Sequence, residues 1–130
     1  NEFAEARPDH SMFGHTPLLW ETLETPEGQS RLALVKRLAA LRREKPVFTA
    51  CHGDEGMAFL NTDQSESVTA FVRRAPNART ALVVQNWTSR EVVVKVDDGG
   101  SPSVPLLTRD VERLSDAAFR LGPYGYWIGE

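Results

Sequence analysis

Few residues in this chain combine the types and the spacing that chemistry requires, and the histidines are the first to consider. His10 and His15 lie five positions apart in a polar, proline-containing stretch, with Glu5 and Asp9 nearby. Histidine and carboxylate side chains bind transition metals, but a metal site needs three or four converging ligands, often from rigid elements. We therefore interpret this pair as ordinary polar residues of a loop and predict no metal site.

A nucleophile–base pair is the second possibility. Cys51, the only cysteine, is followed directly by His52. Neighbouring side chains in a strand point to opposite faces, so these two cannot act together on one substrate atom. The sequence has no glycine-rich phosphate loop and no CxxC, HExxH or GxSxG motif, and no two carboxylates are placed opposite each other in a cleft. We predict no catalytic residue and no cofactor in this chain.

Length and composition limit the class of protein. The chain has 130 residues, 41% of them hydrophobic and 25% charged, and a net charge of −3, which suits one globular domain with a real core. The negative charge argues against nucleic acids and anionic membranes as partners, and no apolar run approaches the roughly 20 residues that span a bilayer. One cysteine excludes an internal disulfide. The compartment, cytoplasmic or exported, stays open.

Residues 26–45 carry the pattern of one long helix, after an irregular segment, residues 1–25, that contains two prolines. Thr25 can cap the first turn, Pro26 suits the first helical position, and Pro46 ends the helix. We interpret the basic residues of this helix as a solvated face rather than a nucleic-acid site. The predicted buried stripe consists of Leu32, Leu34, Val35, Leu38, Ala39 and Leu41.

From residue 47 onwards the hydrophobic period changes to two. Short β-branched or aromatic segments follow one another between turns, in the order VFTACHG, GMAFLN, SVTAFVRR, TALVVQNW, EVVVKV and SVPLL, with two more near residues 119–121 and 124–128. About eight antiparallel strands at this spacing predict a Greek-key-like β-sandwich. The predicted fold class is therefore mainly β, with the loop and the helix preceding the sandwich. Residues 87–90 are predicted to form a hairpin connection.

The stretch TALVVQNW contains a tryptophan whose direction decides its role. By alternation Val84 and Asn86 share one face, and Trp87 follows Val83 on the other. We expect the Trp87 ring to fill the interior of the sandwich. In the alternative, the turn rotates the ring outward, where it can stack on a sugar ring. The triplet Asn86-Trp87-Thr88 also matches the N-glycosylation sequon, which matters only in a secreted eukaryotic protein.

The motifs also occur in a familiar order. NEFAEARPDHSMFG precedes Trp20, TPEGQSRLALVKRLAALRREKPVF ends in ALRREKP, and SVTAFVRR, TALVVQNWTSREVVVKV and LGPYGYWIGE follow, the last containing Pro-Tyr-Gly-Tyr at 123–126. In turn these resemble the segment after the eighth barrel strand, the last barrel helix and the C-terminal β-sandwich strands of bacterial members of glycoside hydrolase family 13, the α-amylase family. The resemblance covers essentially the whole chain.

The resemblance implies a division of the chain and a role. Residues 1–46 would be a remnant of the catalytic barrel, and residues 47–130 would be the C-terminal β-sandwich domain. The chain would begin in the middle of its parent protein, and the catalytic carboxylates, which the family carries on earlier barrel strands, would lie outside it. The implied function is a non-catalytic C-terminal domain that stabilises the barrel of a glycosidase or glycosyl-transferring enzyme acting on α-glucans or related sugars.

Two further roles remain open. The sandwich is alternatively a carbohydrate-binding module that holds polysaccharide on exposed aromatic rings. The candidate rings are Trp87, Trp127, Tyr124 and Tyr126. The loop at residues 1–25 is a third candidate, contributing His10 and Trp20 to the substrate cleft, although simple packing of Trp20 is preferred. The expected partners are the barrel of the same parent chain, an α-glucan, and a second copy bound through the 26–45 helix where its leucines are uncovered.

Overall fold

The structure is a computed structural model that describes residues 20–49, 56–97 and 102–130. A 3₁₀ turn at Trp20–Glu24 precedes two helices and six strands: α1 (Pro26–Glu44), α2 (Pro46–Thr49), β1 (Met57–Leu60), β2 (Val68–Arg73), β3 (Ala81–Asn86), β4 (Val92–Lys95), β5 (Pro105–Arg113) and β6 (Ala118–Gly129). The chain divides into two compact units, one running to Ala40 and the other from Leu41 to Glu130. The mainly β fold class with one long preceding helix is confirmed.

Helix α1 begins where its sequence predicts. The backbone N–H of Gly28 donates to Thr25 Oγ1 (3.1 Å), and the Thr25 hydroxyl donates to the carbonyl of Thr22 (2.8 Å). Thr25 therefore caps the first turn and joins it to the 3₁₀ turn. Only glycine fits at position 28, because a Cβ there would lie 1.9 Å from the Thr22 oxygen. Within the described residues the apolar stripe is only partly covered, since Val35 and Leu38 are exposed.

The prediction of a strand over VFTACHG is wrong in its described part, because Pro46–Thr49 forms the short helix α2. Val47 is buried, and the Phe48 ring centroid lies 5.8 Å from the Arg73 guanidinium of β2. Pro46 suits the first turn of a helix, and packing on the sheet overrides the strand propensity of Val47 and Phe48. The remainder of VFTACHG, residues 50–53, lies outside the described residues.

The six strands form one antiparallel sheet. β1 pairs with β2, β2 with β3, and β3 with the C-terminal half of β6. β4 pairs with the N-terminal half of β6, and β5 follows the whole of β6 along its other edge. A bridge between Thr62 and Val96 joins the chain after β1 to the chain after β4, so the sheet curls towards closure. The described residues thus form one curled sheet.

Two sequence-based expectations change with this topology. β3 and β4 pair with the same edge of β6, so residues 87–90 do not connect a hairpin. They connect two strands that lie end to end along β6, with β3 beside its C-terminal half and β4 beside its N-terminal half. The two segments predicted near residues 119–121 and 124–128 belong to the single 12-residue strand β6. This fusion is one reason why the described residues contain six strands rather than about eight.

The sheet folds over at a corner shared by β5 and β6. The pairing register shifts between Arg109 and Val111, and Asp110, between them, adopts a positive φ of 44°. On β6 the corner contains Gly122 and Gly125, and a Cβ at Gly125 would lie 2.5 Å from the carbonyl oxygen of Asp110. A bulge with glycines beside it lets adjacent strands bend together.

The core lies inside this fold, and the predicted alternation supplies it. Residues of β2, β3, β4 and β6 that share the inner face form one buried cluster, joined by Val96 just after β4. Its members are Val68, Ala70, Val72, Leu82, Val84, Val94, Val96, Phe119, Leu121 and Trp127. At about 25 cal/mol per Å² of apolar surface, burial of these side chains is the main stabilising contribution to the unit. The intervening residues of the same strands face the other side of the sheet. On β3 these are covered as well, since Ala81 and Val83 are buried, whereas Val93 of β4 is exposed.

Candidate functional site

The three residues predicted to bind substrate have different fates. His10 lies outside the described residues. Trp20 begins the 3₁₀ turn and is exposed; it belongs to the unit that runs to Ala40. Trp87 follows the last residue of β3 in the unit that begins at Leu41.

The expectation that the Trp87 ring fills the interior is wrong. The side chain is 59% exposed, and its indole N–H donates to Thr69 Oγ1 (2.8 Å) on β2. Alternation placed Trp87 correctly on the face of Val83, but the interior lies on the opposite face, which carries Val84 and Asn86. The ring is therefore held against the outer surface of the sheet.

The other candidate rings divide between core and surface. Trp127 is 3% exposed, and its ring centroid lies 5.5 Å from that of Phe119. The Arg113 guanidinium covers the Trp127 ring at 5.4 Å, so this tryptophan is a core residue and no platform for sugar. Tyr126 is half-buried. Tyr124 is exposed at the corner of the sheet, with a positive φ of 53°.

A buried asparagine fixes the turn that carries Trp87. Asn86 Nδ2 donates to the carbonyls of Arg90 (2.7 Å) and Gly122 (2.9 Å). Its Oδ1 accepts from the backbone N–H (2.9 Å) and the hydroxyl (2.8 Å) of Thr88. All four hydrogen bonds of the amide are made at a residue with 0% exposure, so Nδ2 is closed to a modifying enzyme in the folded chain. Asn86 therefore has a structural role at this turn, which accounts for the residue in the sequon match.

Sequence reasoning did not single out an aromatic pair on the outer face of β1 and β2. Phe59 on β1 and Phe71 on β2 are direct cross-strand partners on the outer face. Their ring centroids are 5.9 Å apart with planes at 64°, an edge-to-face contact. Phe59 is 69% exposed. The signal was present in the alternation of GMAFLN against SVTAFVRR, but it required the register between the two strands.

An open groove of about 490 Å³ begins at Phe59. It forms where the pairing of β1 with β2 ends at Leu60 and Ala70. Beyond Leu60 the chain separates from β2, and Thr62 pairs with Val96 instead. The lining residues carry hydroxyl, amide or apolar groups and none is ionisable: Phe59, Leu60, Asn61, Thr62, Ser65, Val68, Thr69 and Ala70. Thr69 lines the groove and also accepts the Trp87 hydrogen bond, so the exposed tryptophan adjoins it.

Metal and membrane features are limited to what the described segments contain. Among residues 20–49, 56–97 and 102–130, no group of three or more His, Cys, Asp or Glu side chains could hold a metal ion. His10, His15, Cys51 and His52 lie outside those ranges, and the expectations about them stay predictions. No helix of the described segments has the length and apolarity needed to cross a bilayer.

Comparison with known proteins gives a partial match. No family model matches the sequence. The chain is 35% identical over 102 residues, 74% of its length, to the 1,4-alpha-glucan branching enzyme GlgB of Deinococcus radiodurans, and the match covers 14% of that enzyme. The chain thus spans a small part of the length of this relative. The similarity supports a relation to the α-amylase family, and with it to glycosidases or glycosyl-transferring enzymes of carbohydrate metabolism.

Proposed function

We propose that this chain is a non-catalytic, C-terminal portion of an α-amylase-family enzyme that acts on α-glucans, and that it stabilises the catalytic barrel. The observation that carries the proposal is the 35% identity to a branching enzyme over 74% of the chain. The order of elements fits it, since a long helix precedes an antiparallel sheet. Residues 1–46 belong to the barrel in this proposal, and residues 47–130 form the β domain.

The exposed side of α1 is the surface that the proposal assigns to the barrel. Val35 is 61% exposed and Leu38 is also exposed on the same helix, and each large aliphatic side chain left in water forgoes roughly 1.5–3 kcal/mol of burial. A helix that packs on a further layer buries such residues. The proposed contact is therefore with the remainder of the parent enzyme, through α1.

A chimera tests the structural role. The matching segment of the Deinococcus enzyme is replaced by this chain, and a second enzyme lacks the segment. The chimera is expected to melt cooperatively and to branch amylose, read as a fall in iodine absorbance, whereas the deletion enzyme should be insoluble or lose at least about 10 °C in Tm, since a missing layer exposes apolar surface. A deletion enzyme as stable and active as the parent would refute the role. Turnover of amylose by the 130-residue chain alone would refute its non-catalytic character.

The same helix predicts self-association of the isolated chain. Leu38→Glu places a charge on the exposed apolar side of α1 and should give a monomer, whereas the unaltered chain should associate at high concentration. Lys36→Glu is the matched control. Successive helical residues are rotated by about 100°, so Lys36 lies about 200° from Leu38, on the opposite side of the helix. Sedimentation velocity over a concentration series measures both. Equal association of the two variants would exclude α1 as the contact.

Binding of polysaccharide is a second candidate function, and one observation favours it. Trp87 is largely exposed and its indole is held by Thr69 on the outer face of the sheet, where the ring is accessible for stacking on a sugar ring. Native electrophoresis in gels that contain amylose tests this candidate. Retardation of the chain would support glucan binding, and mobility equal to that in gels without amylose would exclude it.

A further inference from the structure

The groove beside Phe59 has the properties of a binding site for an uncharged, hydroxyl-rich ligand. One quarter of the residues of this chain are charged, yet none of the described residues that line the groove is ionisable. A phosphate or carboxylate ligand would find no cation among these eight residues. Asn61, Ser65 and Thr69 instead supply neutral hydrogen-bonding groups, which match sugar hydroxyls.

A hydroxyl in the groove has no partner within the described residues. Thr62 lines the groove, and its Oγ1 is shielded from solvent without a hydrogen bond. Buried polar groups in native proteins nearly always have a partner, and an unpaired one costs about 1–3 kcal/mol. Thr69 Oγ1, in turn, accepts the Trp87 indole hydrogen bond, which leaves its own proton to be donated. No ligand in the groove can reach the shielded Thr62 oxygen, so the accessible polar contacts are the Thr69 hydroxyl and the exposed side chains of Asn61 and Ser65.

A rigid aromatic ring stands at the entrance. Phe59 is exposed, but the neighbouring Phe71 ring on β2 meets it edge-to-face at 5.9 Å and restricts its motion. The apolar face of a sugar ring can stack on such a platform while the sugar hydroxyls reach the polar lining. The volume of about 490 Å³ lies within the roughly 300–1,000 Å³ of ordinary ligand sites.

We infer that a linear α-1,4-glucan chain binds in the groove between the end of β1 and the start of β2, with Phe59 as its stacking platform and the side chains of Asn61, Ser65 and Thr69 as its polar contacts. The inference rests on the proposed function, which supplies the ligand class. It places the glucan on a site that includes Phe59 and distinguishes this site from one centred on Trp87 alone.

Variants of the full chain test the site against maltoheptaose, with Kd measured by titration. Phe59→Ala should weaken binding at least about tenfold, because the platform is lost. Ser65→Ala removes an exposed hydroxyl of the lining and should weaken binding about two- to tenfold. Met57→Ala is the matched control: Met57 shares the strand face of Phe59 and is exposed, but it does not line the groove. This control should change Kd by less than about twofold.

A measurement on the unaltered chain guards against variants that fail to fold. Backbone amide shifts on addition of maltoheptaose should be largest at Asn61, Ser65 and Thr69, and small on β4 at the exposed Val93. Shifts confined to residues outside the groove would overturn the inference. A Kd that rises with Trp87→Ala but not with Phe59→Ala would overturn it while keeping glucan binding as a function. No binding at all would overturn both, and would leave the structural role to the chimera experiment, whose result does not depend on this groove.

Discussion

Replacing Asn86 by Ala is expected to lower the free energy of unfolding by about 2–4 kcal/mol, although the residue is neither hydrophobic nor near a predicted catalytic group. The amide makes four hydrogen bonds in a site with no solvent access. Alanine would leave two carbonyls and one backbone N–H without these partners, at about 1–3 kcal/mol each. In the variant, the Thr88 hydroxyl can donate instead to the Arg90 carbonyl, which lies 3.3 Å away, and water can enter from the exposed turn, so only part of this sum is expected as lost stability.

The assay is urea unfolding monitored by tryptophan fluorescence and circular dichroism. Ser89→Ala is the matched control, because Ser89 is exposed in the same turn, and its change should stay within about 0.5 kcal/mol. Asn86→Asp adds a pH test. In the folded state burial and two facing carbonyls raise the pKa of the introduced carboxyl above its unfolded value, so the variant loses stability, relative to the unaltered chain, as pH rises from about 4 to 7.

The reasoning is refuted by either of two results. A loss below about 1 kcal/mol for Asn86→Ala, or one equal to that of Ser89→Ala, would mean that the turn after β3 does not depend on this amide. A destabilisation of Asn86→Asp that is the same at pH 4.5 and pH 7.5 would mean that the site is open to water, because only a shielded site shifts the pKa of a carboxyl strongly.

Three more predictions follow from burial and contacts. Trp127→Ala should cost about 3–5 kcal/mol, since its ring is in the core, whereas Trp87→Ala should cost less than about 1.5 kcal/mol; equal losses in thermal melts would contradict the assignment of faces. Arg113→Met removes hydrogen bonds to the carbonyls of Pro102, Ser115 and Asp116 and should cost about 2–3 kcal/mol by urea titration, with Arg113→Lys only partly restoring stability; an unchanged midpoint would contradict it. Lys45→Met breaks the 2.5 Å ion pair with Glu130, whose side chain is only 13% exposed, and should cost about 1–3 kcal/mol, less in 1 M NaCl; a loss that salt does not reduce would contradict an electrostatic origin.

The sequence was a good guide to local periodicity. The cap at Thr25 and the inward faces of β2 and β4 follow from contacts within a few residues, and the structure reproduces them. Alternation also grouped Trp87 correctly with Val83. It could not say which face is inside, because that depends on how far the sheet curls. A wrong choice of face reversed the expected role of the Trp87 ring.

Distant pairing explains the remaining differences. Both β3 and β4 pair with β6, which lies more than 20 residues further along the chain. Without knowledge of that partner strand, the turn residues at 87–90 resemble a hairpin connection between β3 and β4. The groove has the same origin. It exists because the chain after β1 separates from β2 beyond Leu60, and Thr62 pairs with Val96. No pattern within β1 predicts that separation.

The two faces of the sheet allow stability and binding to be separated by mutation. On β2 the buried residues Ala70 and Val72 alternate with Thr69 and Phe71 of the outer face. Truncation of an inner residue removes packing and should act mainly on unfolding, while truncation of exposed Phe59 removes little buried area. Losses of affinity in outer-face variants that unfold normally can therefore be attributed to the surface itself. A structural domain without a ligand would show no such losses, so the comparison discriminates between the two functions proposed for this chain.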